Sequence, residues 1–226
     1  GLPFRSAADA IALVGLLAIA RVFMSLAAMD IGTAFGTLGA RRDMMIGFLA
    51  EPALLMVIFV ASLLSATTAL PLIAERLVVQ PLALYPSLAF TAVAFTMVLL
   101  AENARIPVDN PATHLELTMI HEAMLLEYSA RHLALMEWAA ALKLFNYACI
   151  GFALFVPWGA SIGSTGIGAM ALSLPALLVK LAVAGLWLAL LETVSAKLRV
   201  FRAPEFMATA FMFAVLGLLV HLLLGA

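Results

Sequence analysis

The sequence predicts an all-α, polytopic transmembrane helix bundle of about six spans, and three observations carry that expectation. Hydrophobic residues make up 65% of the 226-residue chain and charged residues 11%, against roughly 45–50% and about 25% in ordinary soluble domains. Mean hydropathy is +1.15. Six separate stretches stay apolar for close to the roughly 20 residues that cross a bilayer core of about 30 Å. With 12 basic and 13 acidic side chains, a soluble globule of this size would leave much of its apolar surface bare.

The spans run 7–29, 44–66, 84–101, 134–158, 168–191 and 205–225. Gly32, Gly36 and Gly39 read as turn residues after the first, and Pro71 and Pro81 as breakers after the second. The third span is short and flanked by Pro81, Pro86 and Pro107. A long polar segment, 102–133, follows it within what reads as a single domain covering 1–226. The connection PWGASIGSTG after the fourth span carries no charge, and the fifth and sixth spans are joined by residues 192–204.

Basic residues set the sidedness. Loops 30–43, 102–133 and 192–204 hold Arg41, Arg42, Arg105, Arg131, Lys197, Arg199 and Arg202, whereas the opposite side holds Arg5 and Arg76. The first group is therefore expected in the cytoplasm and the amino terminus outside. A chain that begins Gly-Leu-Pro with its amino terminus outside reads as the carboxy-terminal part of a longer protein lacking an even number of spans. No signal-peptide pattern opens it.

Composition also excludes functions. The net charge of −1 with no basic tract leaves a nucleic-acid role without an electrostatic footprint. The single cysteine, Cys149, excludes an internal disulfide, a thiolate-held Fe–S cluster and a cysteine zinc site. His121-Glu122 resembles the start of a zincin motif, but Leu125 stands where the second ligand belongs, and His114 with His121 makes no metal site alone. No P-loop, dinucleotide fingerprint or nucleophile elbow occurs. The chain is expected to be non-catalytic and to carry no cofactor, with any redox centres on other chains.

The most informative polar stretch is AENARIPVDNPATHLELTMIHEAMLLEYSARH, residues 101–132. Pro107 and Pro111 keep its start extended. Thr113 and Glu116 form a T-x-x-E capping box, which predicts an amphipathic helix from 114 to about 129 with Leu117, Ile120, Met124 and Leu125 on its apolar side. Glu116 and Glu127, eleven apart, would share a face, and the helix would lie at the membrane surface or under a partner. Glu102, Asp109, Glu116, Glu122, Glu127 and Glu137 concentrate acid in this region.

Charges inside hydrocarbon cost several kcal/mol and so face a bundle interior, a water path or each other. Glu51, next to Pro52, lies about two turns into the second span, and Lys180 about 18 Å from the cytoplasmic end of the fifth. Both are too deep to snorkel easily and are candidates for a hydrated proton path, with Glu192 near a cytoplasmic end. Arg21, Lys143 and His221 also fall in apolar runs. For Arg21 and His221 the plainer reading is a buried pair or snorkelling. For Glu51 it is a pair with Arg42 or Lys180.

The string ENARIPVDNPATHLELTMIHEAMLLEYS resembles the signature loop of the membrane subunit of formate hydrogenlyase and other group 4 energy-converting NiFe-hydrogenases, which is homologous to a membrane component of complex I (called H in bacteria and 1 in mitochondria). Glu102, Asn103, Arg105, Pro107 and Asp109 match the complex I pattern E-N-x-R-x-P-F-D, with Val108 replacing Phe. DIGTAFGTLGARRDMMIGFLAEPALL and AKLRVFRAPEF resemble the hydrogenase branch, and the likeness covers the whole chain.

The resemblance implies about eight spans in the full protein. It implies a membrane foot that anchors soluble hydrogenase large and small subunits and an Fe–S subunit, and that passes reaction energy to an antiporter-like membrane subunit. Glu51, Glu102, Asp109 and Glu116 then become proton-path candidates. Arg41, Arg42 and Arg105 organise the cytoplasmic loops, and Asp43, Glu122 and Glu127 join them on the docking side. The competing readings are the quinone-site component of a respiratory dehydrogenase and a freestanding transporter. Six spans without an inverted repeat disfavour the latter.

The charge count generates a topological prediction. With cysteine placed at Ser129 or Ser164 in intact cells, an impermeant thiol reagent should modify position 164 only. Modification at 129 from outside would overturn the assignment.

Overall fold

Asp9 begins the first span by capping it: its carboxylate accepts from the amides of Ile11 and Ala12 at 2.9 and 3.1 Å. The Thr68 hydroxyl donates to the same carboxylate at 2.5 Å. That hydrogen bond, with those from the helix amides, holds Asp9 below the usual carboxylate range. In the computed structural model, which describes residues 8–79, 86–105, 119–159, 167–195 and 202–224, the chain builds eight helices among those residues and no strand ladder. They are α1 Ala10–Asp30, α2 Ala34–Ser65, α3 Leu70–Val79, α4 Pro86–Glu102, α5 His121–Leu125, α6 Ala130–Phe155, α7 Ile167–Val194 and α8 Ala203–Leu224.

Five of these, α1, α2, α6, α7 and α8, are long and apolar enough to cross a bilayer. The sixth expected span is α4, whose 17 residues rise about 26 Å at 1.5 Å each. The protein is thus an all-α, multi-pass membrane bundle. One end is tied by backbone bonds from Ala10 to Thr68 and from Leu70 to Ala8, both 2.9 Å. The start of α1 and the end of α2 therefore lie together, as antiparallel spans require.

Two expected loops fold as helix instead. The 30–43 connection shrinks to a tight turn, where Gly32 takes φ +74° and Thr33 caps α2 by accepting from the Gly36 amide at 3.3 Å. Gly36 and Gly39 are helical and serve close packing. A Cβ on Gly36 would lie 2.9 Å from the Ala28 carbonyl oxygen, and one on Gly39 2.7 Å from that of Ile120. Pro71 does not break the chain but sits in the first turn of α3, where its missing N–H costs nothing.

The expected 114–129 helix is also revised. Residues 106–118, including His114, the capping box and Leu117, lie outside the described residues. The described part is helical only over His121–Leu125, and Ala130 takes φ +47° where α6 begins. Glu127 lies in the turn between them. One face of the segment turns inward: Met119, Ile120, Ala123 and Met124 are buried, because α5 packs on the extended first turns of α2, whereas Glu122 and Glu127 are exposed.

The core is α2, α4 and α8, with α1 laid along α2. α8 presents Ala203, Met207, Ala210, Ala214 and Gly217 at helical spacing, and a Cβ on Gly217 would come 2.7 Å from Thr91 Cγ2. Small residues allow this approach, which is how helices gain contact where lipid removes the hydrophobic drive. α7 touches α6 at few points and buries little of its surface.

The Gly39 contact is testable. Gly39→Ala should push α5 from α2 and destabilise the fold by about 1–3 kcal/mol, seen as a lowered thermal midpoint in detergent. An unchanged midpoint would show that α5 does not seat here.

Candidate functional site

Two rows of residues on neighbouring antiparallel helices build the site. Arg21 and Ser25 are one turn apart on α1, and Asp43, Gly47 and Glu51 are successive turns on α2. Across the contact, Ser25 Oγ donates to Asp43 Oδ2 at 3.2 Å, and Arg21 Nη1 lies 3.6 Å from Glu51 Oε1. Gly47 stands between. A Cβ there would collide with Arg21 Nη1, so the absent side chain is the slot through which the guanidinium passes α2.

Beyond the slot Arg21 pairs through Nη2 with Glu102 Oε1 at the end of α4. Lys143, from α6, reaches the same carboxylate, with Nζ 3.0 Å from Oε2, and donates to the Glu102 carbonyl at 2.6 Å. Four helices thus place two cations and two carboxylates in one group. The Arg21 and Glu102 side chains are 7% and 1% exposed, that of Glu51 35%. Beyond these ion pairs, Arg21 Nη1 and Glu102 Oε2 are buried without a hydrogen-bond partner among the described residues, so the group retains capacity for a water or a moving proton.

A cavity of about 700 Å³ reaches this group from the loop side. Glu102, Arg105, Lys143, Glu137 and Glu192 line it together with His121 and Glu122. His121 Nδ1 lies 4.0 Å from Asp43 Oδ1. Burial holds this imidazole below its ordinary range; Asp43 opposes the shift, and Lys143 and Arg21 reinforce it.

The structure therefore unites Glu51 and Glu102 through Arg21, which makes the buried ion pairs that the plainer sequence reading expected of it. Glu51 pairs with neither Arg42 nor Lys180 in the contacts observed. Lys180 instead donates to the Val156 carbonyl at 2.6 Å and lies over the Phe152 ring. Glu102, the last residue of α4, is buried. Asp43, expected on the docking side, turns inward to Ser25 and His121. Arg42 donates to the Met119 carbonyl at 2.9 Å, tying α2 to the segment before α5. Arg105 pairs with Glu192 at 3.5 Å. Arg41, Glu122 and Glu127 are exposed; Asp109 and Glu116 lie outside the described residues. Sequence reasoning did not assign Lys143 or Gly47. The one-turn spacing of Asp43, Gly47 and Glu51 was the signal for the slot.

Residues 2–223 match the family described as NADH dehydrogenase. Formate hydrogenlyase subunit 4 of Escherichia coli K12 is 32% identical over 217 residues, covering 96% of this chain and 69% of that protein. Hydrogenase-4 component C of the same organism is 34% identical over 157 residues, 70% of this chain and 49% of the relative. The match to the second relative thus takes in about half of its length. Matched along nearly all its residues, the chain belongs to the NADH dehydrogenase family, in the complex I-related branch that holds the membrane subunits of hydrogenases.

Proposed function

We propose that the chain is the membrane foot of a hydrogenase-type, complex I-related assembly, carrying the soluble redox arm and coupling electron transfer to proton or ion movement. The observation that carries this reading is the buried Glu51–Arg21–Glu102–Lys143 group with a polar cavity leading to it. The soluble arm, with hydrogenase large and small subunits and an Fe–S subunit, would cover the cytoplasmic face that carries Arg41, Arg105, Glu122 and Glu127. An antiporter-like subunit would lie alongside in the bilayer.

Such a group suits coupling for a physical reason. Each buried charge is tolerable only because its partners neutralise it, so moving one proton or one nearby electron shifts the balance for all four. Glu51, the more exposed of the two carboxylates, is where a proton would exchange; Glu102, held by two cations, is where it would be sensed. Asp109, Glu116 and Glu192 would extend the path toward the arm, and Lys180 would serve a deeper step.

A second reading, the quinone-site component of a respiratory dehydrogenase, draws on an apolar groove of about 480 Å³ between α4, α6 and α7 that meets the polar cavity at Arg105 and Leu144. A photoreactive quinone analogue that labels α6 or α7 would favour it.

The two carboxylates should respond differently to neutral isosteres. Glu102→Gln leaves Arg21 and Lys143 short of a counter-charge, costs about 3–5 kcal/mol and should deplete the subunit from membranes. Glu51→Gln should assemble and keep hydrogenase activity with artificial dyes. It should lower ion translocation per electron, because a positioned proton-transfer group is lost. Gly47→Ala, which blocks the slot, should likewise uncouple. A Glu51→Gln complex that assembles and translocates normally would sink the reading.

A further inference from the structure

We propose that His121 and Asp43 form a proton-loading pair at the wall of the cavity: the imidazole takes a proton from cavity water, Asp43 holds the resulting cation, and the charge so placed governs the ionisation of the Glu102 group. The proposal rests on the coupling function above and adds the group through which a proton enters.

The placement is specific. His121 is the first residue of α5, and α5 is held in the bundle by the buried Ile120, Ala123 and Met124. The imidazole therefore does not drift with a free loop. It lines the cavity shared with Glu102 and Lys143, and its Nδ1 faces Asp43 at 4.0 Å, both side chains being mostly buried, 19% and 15% exposed. That distance is beyond a hydrogen bond, so Asp43 serves as a counter-charge and not as the proton acceptor. Ser25 fixes it in that role by donating to its other oxygen at 3.2 Å.

Ser25 lies one turn from Arg21, and Asp43 two turns from Glu51, so the pair and the buried group share the same two helices. Among the described residues, the charged groups around His121 and its cavity are Asp43 from α2, Arg21 from α1, Lys143 and Glu137 from α6, Glu102 and Arg105 at the end of α4, Glu192 from α7 and Glu122 from its own helix.

Electrostatics then link two proton sites. Arg21 and Lys143 oppose a charge on His121, and Asp43 favours it. Glu51 and Glu102 neutralise those two cations. Protonating either carboxylate uncovers a positive charge and drives the proton off His121, whereas loading His121 favours ionised Glu102. Interacting sites of this kind titrate as a pair. Only N–H and O–H bonds change: the proton comes from cavity water, and it returns there or passes to the carboxylate, with no electron or co-reactant involved.

The sign of the pH dependence follows. Burial holds the imidazole below its ordinary range, so loading falls on the acid side of neutrality, and removing the Asp43 charge moves it further that way. The test uses the whole complex in proteoliposomes, with protons translocated per electron measured from about pH 5 to pH 8, the range in which histidine switches. Asp43→Asn should shift the acid-side step down by about one pH unit, Asp43→Glu should restore it, and His121→Gln should abolish it. Dye-linked hydrogenase activity should not change in any of the three.

An unshifted step in Asp43→Asn, or a wild-type profile in His121→Gln, would overturn the proposal. Should His121→Gln fail to assemble, the Asp43→Asn shift decides. Glu51→Gln separates the two levels. If that variant is uncoupled while His121→Gln keeps the wild-type profile, the loading pair alone is wrong. If Glu51→Gln translocates normally, the coupling reading fails with it.

Discussion

A guanidinium in the interior of an apolar bundle is the constraint on which the rest of the structure depends. Arg21 cannot shed its proton, and leaving it without partners in this setting would cost more than a single domain can spare. Its charge must therefore be met by carboxylates arriving from elsewhere in the chain. Glu51 comes from α2 and Glu102 from α4, and the second of these requires its own second cation, Lys143 from α6. One side chain thus dictates how four helices are placed.

The packing around it is arranged to let that happen. Gly47 opens α2 at the level where the guanidinium crosses. Gly36 and Gly39 bring the start of α2 against α1 and α5, and the Ala and Gly stripe of α8 closes on α4. In lipid, apolar side chains gain little by leaving hydrocarbon for one another, so close backbone approach and buried polar contacts supply the specificity that hydrophobic burial supplies in water. The bundle is narrow where small residues line up and charged where they make room.

The same arrangement leaves the loop side of the bundle polar within. The ends of α4 and α7 are joined by Arg105 and Glu192, and α5 folds back under them to bring His121 to the cavity wall. An ionisable chain beginning there and ending at Glu51 is the kind of interior that soluble proteins rarely tolerate. Membrane proteins keep such interiors where charge has to move.

By itself the sequence determined the all-α membrane class, the order of the spans and the family. Each follows from composition, from apolar run length or from the ENARIPVD motif, which are local properties of the chain. It also marked Glu51 and Lys180 as charges in hydrocarbon that need an explanation. What it did not determine is which charges meet, because pairing depends on the rotation and register of helices far apart in sequence. Arg21 and Glu102 are 81 residues apart, and nothing near either names the other. The helical extension of α2 to Ala34, the burial of α5 and the inward turn of Asp43 were likewise decided by tertiary contact. Glycine reads as a turn in isolation, and only an opposing backbone at 2.7–2.9 Å reveals it as a packing residue.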